Sequence, residues 1–561
     1  MMQKTCVSCG SSFEITSEDL RFLAKLSPEV GGKRFPIPPP THCIDCRQRR
    51  RLTFRNERCL YRRPCDLCKR EIISIYRTGT DYTVYCPECF WSDQWDSLLF
   101  GRQVDFQRPF FEQFQELQKA VPRIALHVVN NENSDYINLS GYNKNCYLIF
   151  AAEYDEDCLY GCQIIKSRDC IDTLCCFESE GCYEVVDCEK SYNLMFSRNC
   201  SNCSDGAFLV DCKSCRNCLF GSNLRNQEYC VNNEKVTPEE FAKKKIEVMD
   251  VLRNGNRAEL DQQFKNIAEG GIHRALELLN CEASTGNYLS HCKNCIHCFD
   301  LSYGEDCHAV FTGFHVKDLM DVCHTTEAEL GYEVTSLGYN SYHALFTNAS
   351  WTGRSAWYCD VIHSSSNIFG CAGLRSKQYC IFNKQYTKEE YEKLVGEIIA
   401  HMQSTHEYGE FFPINLSPFA YNETLAQEYY PLTQEDAATA RLPWHDRSDE
   451  KAEIVGAKTS SSVPSDSAKV RDDILATPLL CEATGRPYKI VKKELEFYRQ
   501  RGLPIPRFHP DERHRRRMAQ RLPRRLYDRT CQKCGSMIHT GISPGHAERV
   551  FCEECYSKEI Y

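Results

Sequence analysis

Six cysteine pairs with two intervening residues carry the chemistry: Cys6/Cys9, Cys43/Cys46, Cys65/Cys68, Cys86/Cys89, Cys531/Cys534 and Cys552/Cys555. A C-x2-C knuckle aims both thiolates at one point, and two knuckles supply the closed tetrahedral sulfur set of structural zinc. Taken in order, the pairs make three four-cysteine sites. Cys65/Cys68 and Cys86/Cys89 are separated by 17 residues, a common ribbon spacing. The first site is spread wider by a Pro- and Gly-rich excursion over residues 27–40. Four protein thiolates leave no open coordination position, so the expected cofactor is Zn2+ in three structural sites and not a catalytic metal. Two disulfides per unit are the alternative, a device that suits small secreted domains.

An offset of 466 residues carries the second site onto the third without a gap, Cys65, Cys68, Cys86 and Cys89 onto Cys531, Cys534, Cys552 and Cys555. The same shift takes Arg47 to Arg513, Arg49-Arg50-Arg51 to Arg515-Arg516-Arg517, Leu60-Tyr61 to Leu526-Tyr527 and Val84 to Val550. The two ends therefore read as an internal duplication. The first site of the C-terminal copy has lost its ligands: Cys481 remains, but Thr484, His509 and Glu512 stand where Cys9, Cys43 and Cys46 would be. Thr is a poor zinc ligand, so a metal-free remnant held by packing is expected there, with the helix Lys492–Arg501 supplying the apolar contacts.

Both copies keep an arginine run. Eight arginines lie between residues 47 and 63, including Arg47, Arg49, Arg50, Arg51, Arg55 and Arg58, with Glu57 the lone acid. The C-terminal run holds Arg513, Arg515, Arg516, Arg517, Arg521 and Arg524. A planar guanidinium fork suits phosphate, and Phe54 and Tyr61 nearby could stack on bases, which makes RNA or DNA one candidate partner. Docking on the chain's own acidic segments, or on another protein, is the competing reading.

The elements between these ends must hold them in place. From Asn145 the chain divides into twelve-residue blocks starting at Asn145, Asp157, Asp169, Gly181, Asn193, Asp205 and Asn217. Cys146, Cys158, Cys170, Cys182, Cys218 and Cys230 share one column, and Cys176, Cys188, Cys200 and Cys212 another. Asn, Asp and Gly at a fixed phase are turn formers, and a short strand plus a turn, repeated, is the signature of a β-solenoid. The beat resumes at Asn294-Cys295 and Asp306-Cys307, then loosens through Tyr342, Trp357 and Ile368. Both halves close alike: Leu224-Arg225-x3-Tyr229-Cys230-x2-Asn233 returns as Leu374-Arg375-x3-Tyr379-Cys380-x2-Asn383, 150 residues on. A capping-box helix start follows each, Thr237-x2-Glu240 and Thr387-x2-Glu390. The repeat cysteines are expected to be small core residues, with cross-coil disulfides or extra metal sites at Cys200/Cys203, Cys212/Cys215/Cys218 or Cys292/Cys295/Cys298 as alternatives. A coil of one twelve-residue repeat looks too thin for so many aromatics, so two repeats per coil are expected.

The fold class is thus multidomain and mainly β: terminal zinc-ribbon modules flank a cysteine-rich parallel β-solenoid in two halves with short helical insertions. The boundaries read as a double ribbon (residues 1–100), a helical connector (101–132), solenoid half one (133–236), a helical insertion (237–280), solenoid half two (281–386), a closing helix (387–403), an aromatic extended arm (404–445), a flexible linker (446–475) and the C-terminal ribbon module (476–561). His308, His315, His324, His343 and His363 share no phase of the repeat and read as packing or surface residues. No Gly-rich phosphate loop, nucleophile elbow or zinc-protease helix is present, so no catalytic residue or small-molecule substrate is assigned. An enzyme site on the solenoid surface is the weakest of three readings.

With 561 residues the chain exceeds one hydrophobic core. Its 37 cysteines, without an apolar leader before Cys6 or an uninterrupted apolar membrane span, point to a reduced, cytoplasmic protein with no membrane partner. The formal net charge of −9 coexists with the basic runs and excludes no partner class.

The run Cys6-Val-Ser-Cys9-Gly-Ser-Ser-Phe13-Glu-Ile, continuing to Pro40-Thr-His-Cys43-Ile-Asp-Cys46-Arg, resembles the "probable zinc-ribbon" family of small bacterial domains. The whole chain is similar in architecture to large zinc-ribbon proteins of candidate-phyla bacteria. The resemblance covers about 50 residues at the motif level and implies zinc on Cys6, Cys9, Cys43 and Cys46; it implies no activity. The leading expectation is a non-enzymatic, zinc-binding scaffold presenting arginine surfaces to nucleic acid, with a protein–protein assembly scaffold as the alternative.

Overall fold

In the computed structural model, which describes residues 2–447, 456–546 and 548–561, the twelve-residue beat becomes a parallel stack of short strands. Phe150 pairs with Cys162, Cys162 with Leu174 and Leu174 with Val186, always in parallel and always twelve residues on. Hydrogen-bonded neighbours are one repeat apart, so the expectation of two repeats per coil is corrected: each repeat is one rung.

The reason is a period of three inside the period of twelve. Asn145, Leu148, Ala151, Tyr154, Asp157 and Tyr160 all have φ between 50° and 60°, a left-handed conformation that bends the chain and that non-Gly residues seldom adopt. Four such bends fill one repeat. Each bent residue is held by the ladder: Leu148 N–H donates to Asp135 O (3.1 Å) and Tyr160 N–H to Tyr147 O (3.0 Å).

The residue after each bend points inward, giving four inward side chains per rung, such as Cys158, Gly161, Ile164 and Ser167. So narrow an interior selects thiols. Cys158 is fully buried and its Sγ donates to the carbonyls of Glu156 and Ser167, both at 3.4 Å. Where a larger residue enters, glycine compensates: a Cβ on Gly161 would lie 2.5 Å from Ile164 Cδ1, and one on Gly304 2.7 Å from Leu301 Cδ2. The aromatics that seemed to need a thicker core stand outside it. Tyr160, Tyr183, Phe196, Phe208 and Phe220 face a second core, with Phe208 and Phe220 stacked at 4.8 Å.

The described chain divides into two compact units, residues 1–126 with 276–445 and residues 127–275 with 446–561. The first unit joins the N-terminal module to the second stack. There Leu319 pairs with Gly331 and Gly331 with Ala344, a step of thirteen, after which Ala344 pairs with Ala356 at twelve again. The loosening seen in sequence is one inserted residue. The stack ends in an antiparallel turn, Cys380 opposite Gln385, and the capped helix Lys388–Ser404. The aromatic segment 404–445 runs through short helical turns with Phe411 and Phe412 buried against the same unit; Phe412 stacks on Phe114 at 4.9 Å.

The second unit joins the first stack to the C-terminal module. Its helices Pro238–Arg253 and Arg257–Gly270 follow the antiparallel turn at Cys230 and Lys235. The linker expected over 446–475 falls partly outside the described residues. Its described part is packed instead: Val463, Val470 and Ile474 are buried, and Lys458–Thr459 pairs with Leu479–Leu480. Alternating polar and apolar residues at three-to-four spacing there give 3₁₀ turns with one buried face.

Candidate metal centres and arginine docks

Three cysteine tetrads assemble as the spacing predicts. The sulfurs of Cys6, Cys9, Cys43 and Cys46 lie within 4.8 Å of one another, as do those of Cys65, Cys68, Cys86 and Cys89 and of Cys531, Cys534, Cys552 and Cys555. Sulfur pairs across the knuckles stand at 3.7 Å (Cys9–Cys43), 3.9 Å (Cys68–Cys86) and 3.8 Å (Cys534–Cys552). A tetrahedral ion with bonds of about 2.3 Å places its sulfurs about 3.8 Å apart, whereas a disulfide needs about 2.05 Å. The donor set fits a metal ion.

Local structure explains the convergence. The first knuckle of each site turns through a left-handed residue, Gly10 (φ 72°), Lys69 (φ 65°) or Gly535 (φ 77°). The second opens a helix: Cys43 caps Ile44–Leu52, Cys86 caps Pro87–Trp91 and Cys552 caps Glu553–Ile560. A helix start favours thiolate over thiol. Backbone N–H groups also point at sulfur, from Cys86 to Cys65 and from Cys552 to Cys531, each at 3.3 Å. Hydrogen bonding from Cys46 brings the Cys43 thiol down to about 4, and the Arg70 side chain brings Cys68 down to about 6.

The remnant at Cys481 keeps the knuckle and loses the ligands. Gly485 N–H donates to Cys481 O at 2.9 Å, as Gly10 N–H does to Cys6 O. His509, in the place of Cys43, has become a side-chain cap, its Nδ1 accepting from Asp511 N–H at 3.1 Å. Glu512 is engaged by Arg515 and Arg516 at 2.8 Å each. Among the described residues these side chains form no metal-binding cluster.

The arginines proposed for nucleic acid go elsewhere. In the first unit Arg47 Nε meets Asp321 at 2.6 Å, and Arg51, fully buried, lies 3.5 Å from both Asp321 and Glu333. Arg50 reaches Glu333 at 2.7 Å and Glu410 at 3.0 Å. Arg55 donates to the carbonyls of Cys323 and Thr335. Burial alone would push the Arg47 guanidinium down, but the charge and hydrogen bond of Asp321 together with Tyr332 and Glu333 outweigh it and hold the group above its ordinary value. In the second unit Arg513 and Arg517 both bind Asp172 at 2.6 Å, and Arg521 binds Asp187 at 3.0 Å. Arg49 is half-buried with Ser8 Oγ at 3.4 Å, Arg58 lies 3.9 Å from Glu428, and Arg524 is half-buried. Only Arg515 and Arg516 of the C-terminal six are exposed.

Sequence reasoning missed the acceptors. Asp172, Asp187, Asp321 and Glu333 occupy left-handed bends, and Asp172 and Asp321 are 149 residues apart at matching rungs. The signal was present as acids in the every-third-residue column. The histidines pack as expected: His308 meets Asp19 at 3.1 Å, His343 bonds Leu26 O at 3.0 Å and His363 stacks on Trp351 at 4.8 Å. The thiols of the stacks, including Cys200, Cys203, Cys212, Cys215 and Cys218, are buried side chains of the narrow core and belong to none of the described metal-binding clusters.

The chain matches no known protein-family model and no curated protein. The likeness of its termini to zinc ribbons therefore rests on the cysteine geometry. No helix among the described residues is long and apolar enough to cross a membrane.

Proposed function

We propose that this protein is a non-enzymatic assembly scaffold in which zinc-held ribbons are clamped onto two parallel β-solenoids produced by internal duplication. The carrying observation is the paired dock: Arg47 and Arg51 on Asp321, Arg513 and Arg517 on Asp172. Guanidinium groups buried against carboxylates are unavailable to phosphate, and taking them out of these pairs would leave charges stranded in a low-dielectric interior. The function of the arginine helices is then to seat the ribbons, and the function of zinc is to shape the ribbons that carry those helices. This favours the protein–protein reading over RNA or DNA binding.

Two measurements test it. Metal analysis of purified protein should give three zinc ions per chain and none at the Cys481 remnant. Fluorescence anisotropy with single- and double-stranded RNA and DNA should show little salt-sensitive binding; a steep slope, about 0.7–0.9 per phosphate neutralised, would restore the nucleic-acid reading.

A further inference from the structure

We propose that a second copy of this chain docks on an alternating-charge ladder that each unit displays. This rests on the assembly-scaffold reading and names its partner. In the second unit Lys144, Glu156, Arg168, Glu180 and Tyr192 follow one another on adjacent rungs, each bridged to the next. In the first unit Lys293, Glu305, Lys317, Glu329 and Tyr342 do the same. From the first lysine the order of charge is plus, minus, plus, minus, then tyrosine, in both, and an exposed acid, Glu132 or Glu282, stands one rung before it, where reversal sets it opposite the tyrosine.

Beside each ladder runs a column of stacked flat rings at a left-handed bend. Tyr142 and Tyr154 stack at 5.0 Å and 4° in one unit. His291, Tyr303 and His315 stack at 4.7 Å and 4.6 Å in the other. These rings are not core: Tyr142, Tyr154 and Tyr192 are 45%, 51% and 52% exposed, and Tyr303 and Tyr342 are each 43% exposed. The ribbon module and its helices cover other columns of the second-unit stack, leaving this one to solvent. In the first unit the ladder borders an open depression of about 470 Å³ lined by Tyr303, Glu305, His315, Lys317, Glu329 and Tyr342.

A plus–minus–plus–minus ladder is complementary to itself when reversed. Across a two-fold axis the first lysine faces the fourth-rung glutamate, and the second-rung glutamate faces the third-rung cation, at identical rung spacing on both sides. That is an isologous contact, the same patch on both partners. Exposed pairs contribute only about 0.2–1 kcal/mol each, so the ladder sets register while the rings and Phe314, 46% exposed, supply the apolar area. Each ladder already holds one internal pair, Arg168–Glu156 (2.8 Å) in the second unit and Lys317–Glu305 (3.1 Å) in the first, and docking shares these charges across the axis.

The test uses the full zinc-loaded chain and sedimentation equilibrium. Wild type should gain mass with concentration at low salt and lose it at high salt. The all-acid chain (K144E, R168E, K293E and K317E) should be monomeric, and so should the all-basic chain (E156K, E180K, E305K and E329K). An equimolar mixture of the two should associate, and a chain carrying all eight changes, whose ladders are inverted but again self-complementary, should behave as wild type. Breaking one ladder alone should stop growth at the dimer. A wild type that stays monomeric at about 100 µM, a concentration that populates even weak specific dimers, overturns the proposal, as does an all-acid chain that associates like wild type. Zinc content and melting temperature, measured on each variant, read the ribbon-docking proposal separately: a monomer with three zinc ions sinks self-pairing and leaves the docks standing.

Discussion

The two units solve one docking problem with different numbers of cysteine tetrads. The first holds two tetrads, Cys6/Cys9/Cys43/Cys46 and Cys65/Cys68/Cys86/Cys89, and the second holds one, Cys531/Cys534/Cys552/Cys555. Yet both bring two arginines, one helical turn apart, onto one buried aspartate. Where the second unit lacks a second tetrad, buried Leu495 and Tyr498 of the helix Lys492–Arg501 pack the remnant against the stack, and Glu494 accepts from Tyr160 and Tyr498 at 2.7 Å and 2.9 Å. Apolar packing and a buried network stand in the second unit where the first has a cysteine tetrad, and the arginine surface is retained in both.

That comparison breaks most sharply at the cysteines. Cys6→Ser should lower the zinc count from three to two and loosen the N-terminal knuckle, since a structural zinc contributes about 10–16 kcal/mol to the fold it holds. Cys481→Ser should leave the count at three and cost little. Metal analysis with limited proteolysis of the two modules separates these outcomes. Equal zinc loss in both would mean that the remnant binds metal.

Removing the shared aspartate should hurt both units alike. Asp321→Ala and Asp172→Ala each remove the carboxylate shared by two buried arginines, leaving Arg51 only Glu333 and Arg513 only Glu494, with an expected loss of up to about 3–5 kcal/mol in urea unfolding. A loss confined to one variant would show that the docks are not equivalent.

An alkaline difference should follow. Asp155 is an inward residue of the second unit's stack, its carboxyl pushed up to about 8 by burial, with Ser167 N–H donating to it at 2.7 Å. The matching rung of the first unit carries Gly304, 149 residues on. The folded state holds this proton where the unfolded chain has released it, so this group's contribution to stability is fully present below about pH 4 and falls as pH rises to 8, by at most ~1.4 kcal/mol per pH unit. Asp155→Asn should flatten that slope, because Asn143 already serves one rung earlier, its Oδ1 accepting from Asp155 N–H. Denaturation midpoints between pH 5 and 8 check it.

The smallest effect is steric. Gly161→Ala should cost about 1–3 kcal/mol by overpacking against Ile164, while Gly485→Ala, with open space around its Cβ, should cost only its left-handed strain, about 1–2 kcal/mol. Differential melting of the two variants makes the comparison.

The cysteine tetrads were legible because tetrahedral metal binding imposes its spacing on sequence directly: Cys65-x2-Cys68 and Cys86-x2-Cys89 need no tertiary information. The stacks were legible as a beat but not as a geometry. Cysteines twelve apart marked the rungs, while the bends fell on residues as unlike as Leu148, Ala151 and Tyr160, where no turn former warned of them. Inferring a thick coil from the aromatics failed because it assumed that large residues face the nearest interior. Tyr183 and Phe208 face a second core whose helices lie far along the chain. The arginine runs were visible and their acceptors were not, since a buried ion pair is a fact about two distant segments. Asp172 and Arg517 are 345 residues apart.

Those long spans set a timetable. Arg47 leaves the ribosome 274 residues before Asp321 exists to receive it, an interval of roughly 14–55 s at ordinary elongation rates of about 5–20 residues per second. Asp172 waits longer for Arg517. The first module must therefore persist alone, with its guanidinium groups still in water, and the earlier stack must wait with Asp172 unpaired until its own module has been made. The first module's two cysteine tetrads would give it a fold of its own once they hold metal ions. The module at residues 476–561 emerges beside a dock already made, and this difference in order of synthesis matches where two cysteine tetrads are kept and where one is enough.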